Sequence, residues 1–334
     1  MNRDWMFGVA MALAVALYPN LIEAAVYSYD LQDAGAKCWL IFFSTAGPAL
    51  VAPVLFGIRT TRTGDLATPR RPHVARLLAG LGISGIFAAG YFLAVLGFGA
   101  QAGLGPGLAE IIDSSFFPIA YIAWLALVSN DPHRRQSRPP FRAVIGAIVI
   151  CVGLLILGAA SKLGRGSESI AEQLLTPGPN QLLMLCAVAG AAAAAIALWL
   201  LRQLVRTNTV ALGGAIAFRY GAPAVVFLLV ALLRSGLHGL HNVGLAPVLT
   251  TLIGGAILVN CIYLAAIRID SDLVQAAAMG LVPLFTLALE RAGSALALLH
   301  SRAQFDKPVF WLGFAIAVVG IVLAWRDPVV RRGD

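Results

Sequence analysis

Charge is scarce in this chain. Only 12% of its 334 residues are charged, against ~25% in ordinary soluble domains. Such a chain lacks the polar cover that a water-facing surface needs. Cysteine is scarce as well. Cys38, Cys151, Cys186 and Cys261 have no CxxC spacing, so they read as small packing residues and not as a disulfide framework or a metal site. Several motifs are absent outright: there is no P-loop, no glycine-rich dinucleotide fingerprint, no HExxH and no GxSxG. ATP hydrolysis within the chain is therefore not expected, and neither is a cofactor. His238 and His241 stand three apart, with His300 beyond, but no cysteine or carboxylate completes a ligand set. They read as surface histidines, and no metal is expected. The net charge of +8 does not point to nucleic acid, because the basic residues sit in short loops without interleaved aromatics.

What the chain has instead is apolar length. Hydrophobic residues make up 59% of it, and the mean hydropathy is +0.84. Ten long apolar stretches cover 5–28, 37–58, 76–101, 107–128, 142–160, 180–201, 210–233, 245–267, 272–295 and 308–325. A bilayer core about 30 Å thick needs ~20 apolar helical residues per crossing. The stretches are too continuously apolar for barrel strands, which alternate, so they predict helices. The expected fold is an all-α integral membrane bundle of ten transmembrane helices. The first stretch outruns a signal-peptide core and carries Pro19, Asn20 and Glu23, so it reads as a retained helix.

The loops orient this bundle. Sixteen basic residues fall on one side: Arg3; Arg59, Arg62, Arg70, Arg71 and Arg76; Arg134, Arg135, Arg138 and Arg142; Arg202 and Arg206; Arg268; and Arg326, Arg331 and Arg332. Seven fall on the other: Lys37, Lys162, Arg165, Arg234, Arg291, Arg302 and Lys307. Excess Lys and Arg mark the cytoplasmic face, so both termini are expected inside. Arginine outnumbering lysine, with abundant Ala and Gly, fits a GC-rich bacterial genome and hence a bacterial inner membrane.

The longest outside connection, 161–180, ends in Thr176-Pro177-Gly178-Pro179 and divides 1–160 from 181–334. The two halves share an order of features. Ser115-Phe116-Phe117-Pro118 in the fourth stretch answers Gly280-Leu281-Val282-Pro283 in the ninth. Gly146 and Gly153 in the fifth answer Gly313 and Gly320 in the tenth, each pair on one helix face where a neighbour can approach closely. Five crossings per half is an odd number, so the second half is expected inverted, an architecture of secondary transporters.

These segments give the chain its resemblance. With Phe141-Arg142-Ala143-Val144-Ile145-Gly146, Tyr91 and Tyr263, they make it similar to the ten-helix EamA-type members of the drug/metabolite transporter superfamily. The resemblance covers nearly the whole chain. It implies two inverted five-helix repeats around a central cavity lined by the first, third, fourth, sixth, eighth and ninth helices. The chain departs from the family's pattern after each proline, where Asn130-Asp131 and Ala295 stand in place of a glutamate.

Polar residues inside the stretches are the candidate site, since a charge at bilayer depth costs about 2.5–3.5 kcal/mol on insertion scales and must face protein or water. Asn20 and Glu23 share a face behind Pro19. They read either as a substrate or proton site or as a helix end reaching the headgroups. Glu110 and Asp113 precede Pro118; Asp113 suits a cation or proton, or simply a helix N-terminus. Arg219 reads either as a partner for Asp113, Glu23 or a substrate carboxylate, or as a side chain snorkelling inward. Asn260 and Tyr263 share a face, and Gln275 opens the ninth helix; each either bonds a substrate or joins helices. Pro19, Pro118 and Pro283 are expected to shape helices.

The expected function is secondary active transport or export of a small polar or amphipathic metabolite, amino-acid-like or drug-like, with protons as a candidate coupling ion. The partners are that small molecule and the lipid bilayer, and no enzyme activity is expected. Two alternatives stay open. One is a membrane-embedded enzyme or lipid-handling protein using Glu23, Glu110 and Asp113 at the outer interface. The other is a non-transporting partner subunit.

Overall fold

The computed structural model describes residues 3–29, 31, 33–58, 71–98, 117–123, 141–162, 179–206, 210–270, 272–296 and 308–325. Helices dominate these residues and no strand occurs among them. In chain order they are α1 (Arg3–Ser28), α2 (Ala34–Phe56), α3 (Arg71–Phe98), α4 (117–123), α5 (Phe141–Lys162), α6 (Pro179–Arg206), α7 (Leu212–Val243), α8 (Leu245–Arg268), α9 (Asp272–Met279), α10 (Val282–Ala295) and α11 (Pro308–Trp325). Seven helical spans are long and apolar enough to cross a membrane, with α9 and α10 together forming one of them. The outward faces are apolar too: Val54 is 84% and Leu233 88% exposed. Apolar surface on that scale belongs in lipid, and the protein is membrane-embedded.

Local chemistry sets the helix ends. Asp33 caps α2, its Oδ2 accepting from the Ala36 amide at 2.9 Å. Gly57 ends the same helix at φ 74°, a left-handed conformation that glycine adopts freely, and its amide donates to Pro53 O. The predicted stretch 210–233 continues as α7 to Val243 through a kink at Gly236 (φ 57°, ψ −158°). That kink frees the Gly236 carbonyl, which accepts from Trp39 Nε1 at 3.3 Å.

The predicted ninth stretch is two helices. Gly280 and Leu281 form a tight turn, with their amides donating back three residues to Ala277 O (3.0 Å) and Ala278 O (2.9 Å). Pro283 then stands in the first turn of α10, where its missing amide hydrogen leaves no bond unmade. This is why an apolar run that looks continuous in sequence breaks in the middle.

Packing is close because small residues line the helix contacts. α2 packs on α7 and α8, α1 on α8, α3 on α6 and α7, and α5 on α11. Gly255 of α8 lies so near α2 that an added Cβ would meet Ser44 O at 2.7 Å. Gly153 of α5 faces the Gly313 carbonyl (2.8 Å from such a Cβ), and Gly320 of α11 faces the Gly146 carbonyl (2.9 Å). The four glycines singled out in the sequence therefore meet one another in one α5–α11 seam. The main apolar core runs between α1, α3, α4, α6, α7, α8 and α9 and includes Met11, Leu81, Tyr121, Leu201, Ile216 and Val259.

Candidate functional site

A cavity of about 180 Å³ lies within the bundle. Its walls come from α1, α2, α3, α4, α6, α7, α8 and α9, and neither α5 nor α11 contributes. The resemblance implied walls from six helices; α2 and α7 join them here, through Ile41, Ser44, Thr45, Arg219, Tyr220 and Pro223.

The polar groups of this cavity have a clear order. Arg219 is 5% exposed and is the one charged residue among the described lining. It is held there by a close approach of α7 to α3: Gly85, with no side chain, lies against the Arg219 carbonyl. The neighbouring Ser84 Oγ accepts from Arg219 Nη1 at 2.6 Å. Arg219 Nε is buried and has no hydrogen-bond partner among the described residues. The guanidinium carbon lies 5.9 Å from the Tyr220 ring centre, within reach of a cation–π attraction. Tyr220 in turn meets Tyr263 edge to face at 6.0 Å. Tyr18 and Tyr91 complete four phenols around the space, and Tyr18 donates to Ser44 O at 3.3 Å. The lining hydroxyls of Ser44 and Thr45 donate to the carbonyl of Ile41 on their own helix, at 2.9 Å each. The described lining thus offers a fixed cation, phenol donors and apolar walls, and no carboxylate occurs among its residues.

A second polar cluster lies between the C-terminal end of α6 and the α8–α9 connection. Arg202, 2% exposed, donates Nη2 to Ile269 O at 2.8 Å and to Asp270 O at 3.3 Å. Its Nη1 bonds Gln275 Oε1 and lies 3.3 Å from the Tyr121 hydroxyl. Gln275 is fully buried, and its Nε2 has no partner among the described residues. This cluster ties four helices together at one end of the bundle.

The sequence candidates divide accordingly. Tyr91, Arg219 and Tyr263 come together in the cavity, and Pro19 lines it. Gln275 belongs to the Arg202 cluster. Asn20 and Asn260 turn back on their own helices, each Nδ2 donating to the carbonyl four residues earlier, Ala16 O at 2.8 Å and Ala256 O at 2.6 Å. Asn20 borders an apolar groove between α1, α8 and α10. Glu23 is half-buried on α1, outside the cavity lining. Glu110, Asp113 and most of the connection 161–180 lie outside the described residues. Sequence reasoning missed Tyr18, Ser84 and Tyr220 as site residues. Tyr18 and Tyr220 had a usable signal, since each adjoins a residue already singled out, Pro19 and Arg219. Ser84 had none.

The comparisons with known proteins bear on the fold. No protein-family model matches the chain, and no curated protein matches it. Solved structures do: 27 chains match. One, described only as a crystal structure of a protein, superposes with a TM-score of 0.57 at 17% identity, over 95% of this chain and 96% of that one. The chain shares that protein's fold along nearly its whole length.

Proposed function

We propose that this protein is a secondary transporter of a small polar or amphipathic metabolite, working by alternating access in a bacterial inner membrane with both termini cytoplasmic. The observation that carries the reading is the cavity: it lies inside a bundle of apolar helices, and its walls come from both halves of the chain.

The pattern of helix contacts supports an arrangement of two inverted five-span halves. Let α1, α2, α3 and α5 exchange with α6, α7, α8 and α11. The contact α1–α8 then becomes α6–α3, and α2–α8 becomes α7–α3; both members of each pair occur. The contacts α2–α7 and α5–α11 map onto themselves and are the two most extensive in the bundle. This behaviour is what a twofold axis in the membrane plane requires of inverted repeats. The break between α9 and α10 also fits, since discontinuous helices beside a central site recur in such transporters. Enzyme chemistry is less well supported, because the described lining holds no carboxylate and its Ser and Thr hydroxyls are bonded to backbone.

The test is solute exchange by purified protein in liposomes, using a panel of amino acids, organic acids and amines. Saturable counterflow absent from protein-free liposomes is expected for at least one class. No exchange across the panel would overturn the reading. Imposing a pH gradient in the same assay checks proton coupling through Glu23 or Asp113, and a rate indifferent to the gradient would remove it.

A further inference from the structure

Arg219 poses a question of charge balance. A guanidinium stays protonated in a protein, and a buried charge is tolerated when it is paired and hydrogen-bonded. Here Nη1 bonds the Ser84 hydroxyl, the neutral phenols of Tyr220 and Tyr263 are the guanidinium's other side-chain partners, Nε has none among the described residues, and no carboxylate occurs in the described lining of the cavity. Tyr220 and Tyr263 stand against the guanidinium. The Tyr220 ring face softens the burial, and both hydroxyls hydrogen-bond the guanidinium while keeping a hydrogen that can be donated to a bound acceptor. Neither phenol neutralises the charge.

We propose that the cavity takes a small organic monocarboxylate with an apolar or aromatic body, its carboxylate seated on the Arg219 guanidinium and its body among the tyrosines and aliphatic walls. The geometry favours this class in three ways. A carboxylate fits the planar fork of a guanidinium, whose described side-chain partners, Ser84, Tyr220 and Tyr263, are all neutral hydroxyls. One cation among the described lining matches one negative charge, whereas a phosphate dianion would leave charge unbalanced. The rest of the wall, Met11, Val15, Ile41, Phe117, Leu198 and Ile262, offers nothing to a second charged group. The proposal deepens the transport reading by naming the cargo at the same cavity.

Equilibrium binding tests it without requiring flux. Purified protein in detergent is titrated with acid–amide pairs of matched shape: benzoate and benzamide, phenylacetate and phenylacetamide, isovalerate and isovaleramide. Tryptophan fluorescence and thermal stabilisation are the readouts. At least one acid is expected to bind about tenfold or more tighter than its amide, the scale of a charge-assisted bond. Arg219→Gln should abolish that preference, and Arg219→Lys, which keeps the charge but not the fork, should retain part of it. Equal affinity for acid and amide throughout would overturn the proposal, as would no binding of either. That outcome is expected if an internal carboxylate such as Asp113 already satisfies Arg219. Phenyl phosphate binding in place of every carboxylate would overturn it too. The acid–amide comparison uses the unmutated protein, so it decides even if the Arg219 variants fail to fold. Acid-selective binding without any exchange in liposomes would refute transport while leaving the anion site standing; exchange confined to neutral or cationic solutes would do the reverse.

Discussion

Two buried arginines act in opposite ways. Arg219 bonds the hydroxyls of Ser84, Tyr220 and Tyr263 at a cavity wall, whereas Arg202 spends its two Nη groups on Gln275, Tyr121 and the carbonyls of Ile269 and Asp270. A hydrogen bond to a charged group contributes about 1.5–3 kcal/mol. Arg202→Met should therefore lower the stability of the folded protein by at least about 1.5–3 kcal/mol, read as a drop in unfolding midpoint in detergent. Arg219→Met should lose less, since its partners are the hydroxyls of Ser84, Tyr220 and Tyr263 at a cavity wall, whereas Arg202 bonds two main-chain carbonyls; equal losses would contradict this division of roles. Sequence separated the two poorly. Arg202 follows directly on the predicted stretch 180–201 and counted as a loop residue, yet α6 continues to Arg206. Its burial comes from acceptors on distant helices, which local hydropathy does not register. Asn20 and Asn260 each bond their own helix through Nδ2, while Oδ1 is buried with no hydrogen-bond partner among the described residues, a division that sequence does not register.

At the scale of helices, most of the fold was legible and the interruptions were not. The predicted stretch 308–325 coincides with α11, and 245–267 falls one residue short of α8. The turn at Gly280–Leu281 and the kink at Gly236 left no mark in the hydropathy, because both lie in apolar surroundings. The backbone at Gly236 (φ 57°, ψ −158°) is a region held essentially by glycine. Gly236→Ala should lower stability by about 1–3 kcal/mol in the same unfolding measurement. Glycines within helices should split into two groups. At Gly153 an added methyl meets the backbone of Ala317 and Gly313, and overpacking of that sort costs about 1–3 kcal/mol. At Gly90 and Gly221 it meets nothing within 4 Å, so alanine there should be neutral or stabilising by up to about 1 kcal/mol through helix propensity. A ranking of Gly153→Ala above Gly90→Ala and Gly221→Ala in unfolding midpoint would refute the seam as described.

For the whole molecule, composition alone was enough to indicate lipid as the solvent, since 12% charge and long apolar runs leave no alternative all-helical home. The match over 95% of the chain at 17% identity shows how little particular sequence this fold demands. The transport proposal makes a topological prediction. Single cysteines placed as Asn2→Cys or Gly333→Cys in a variant without the four native cysteines should react with a membrane-impermeant maleimide in inside-out vesicles. They should stay unmodified in intact cells. Opposite behaviour of the two ends would exclude an even number of crossings.

The α5–α11 seam carries an evolutionary corollary. Its contact runs through main-chain atoms at Gly146, Gly153, Gly313 and Gly320, so natural selection has few letters to guard there. Bulky replacements at those positions should be purged, while the remaining outward surface of both rods is free to drift toward whatever acyl chains a host's bilayer happens to supply.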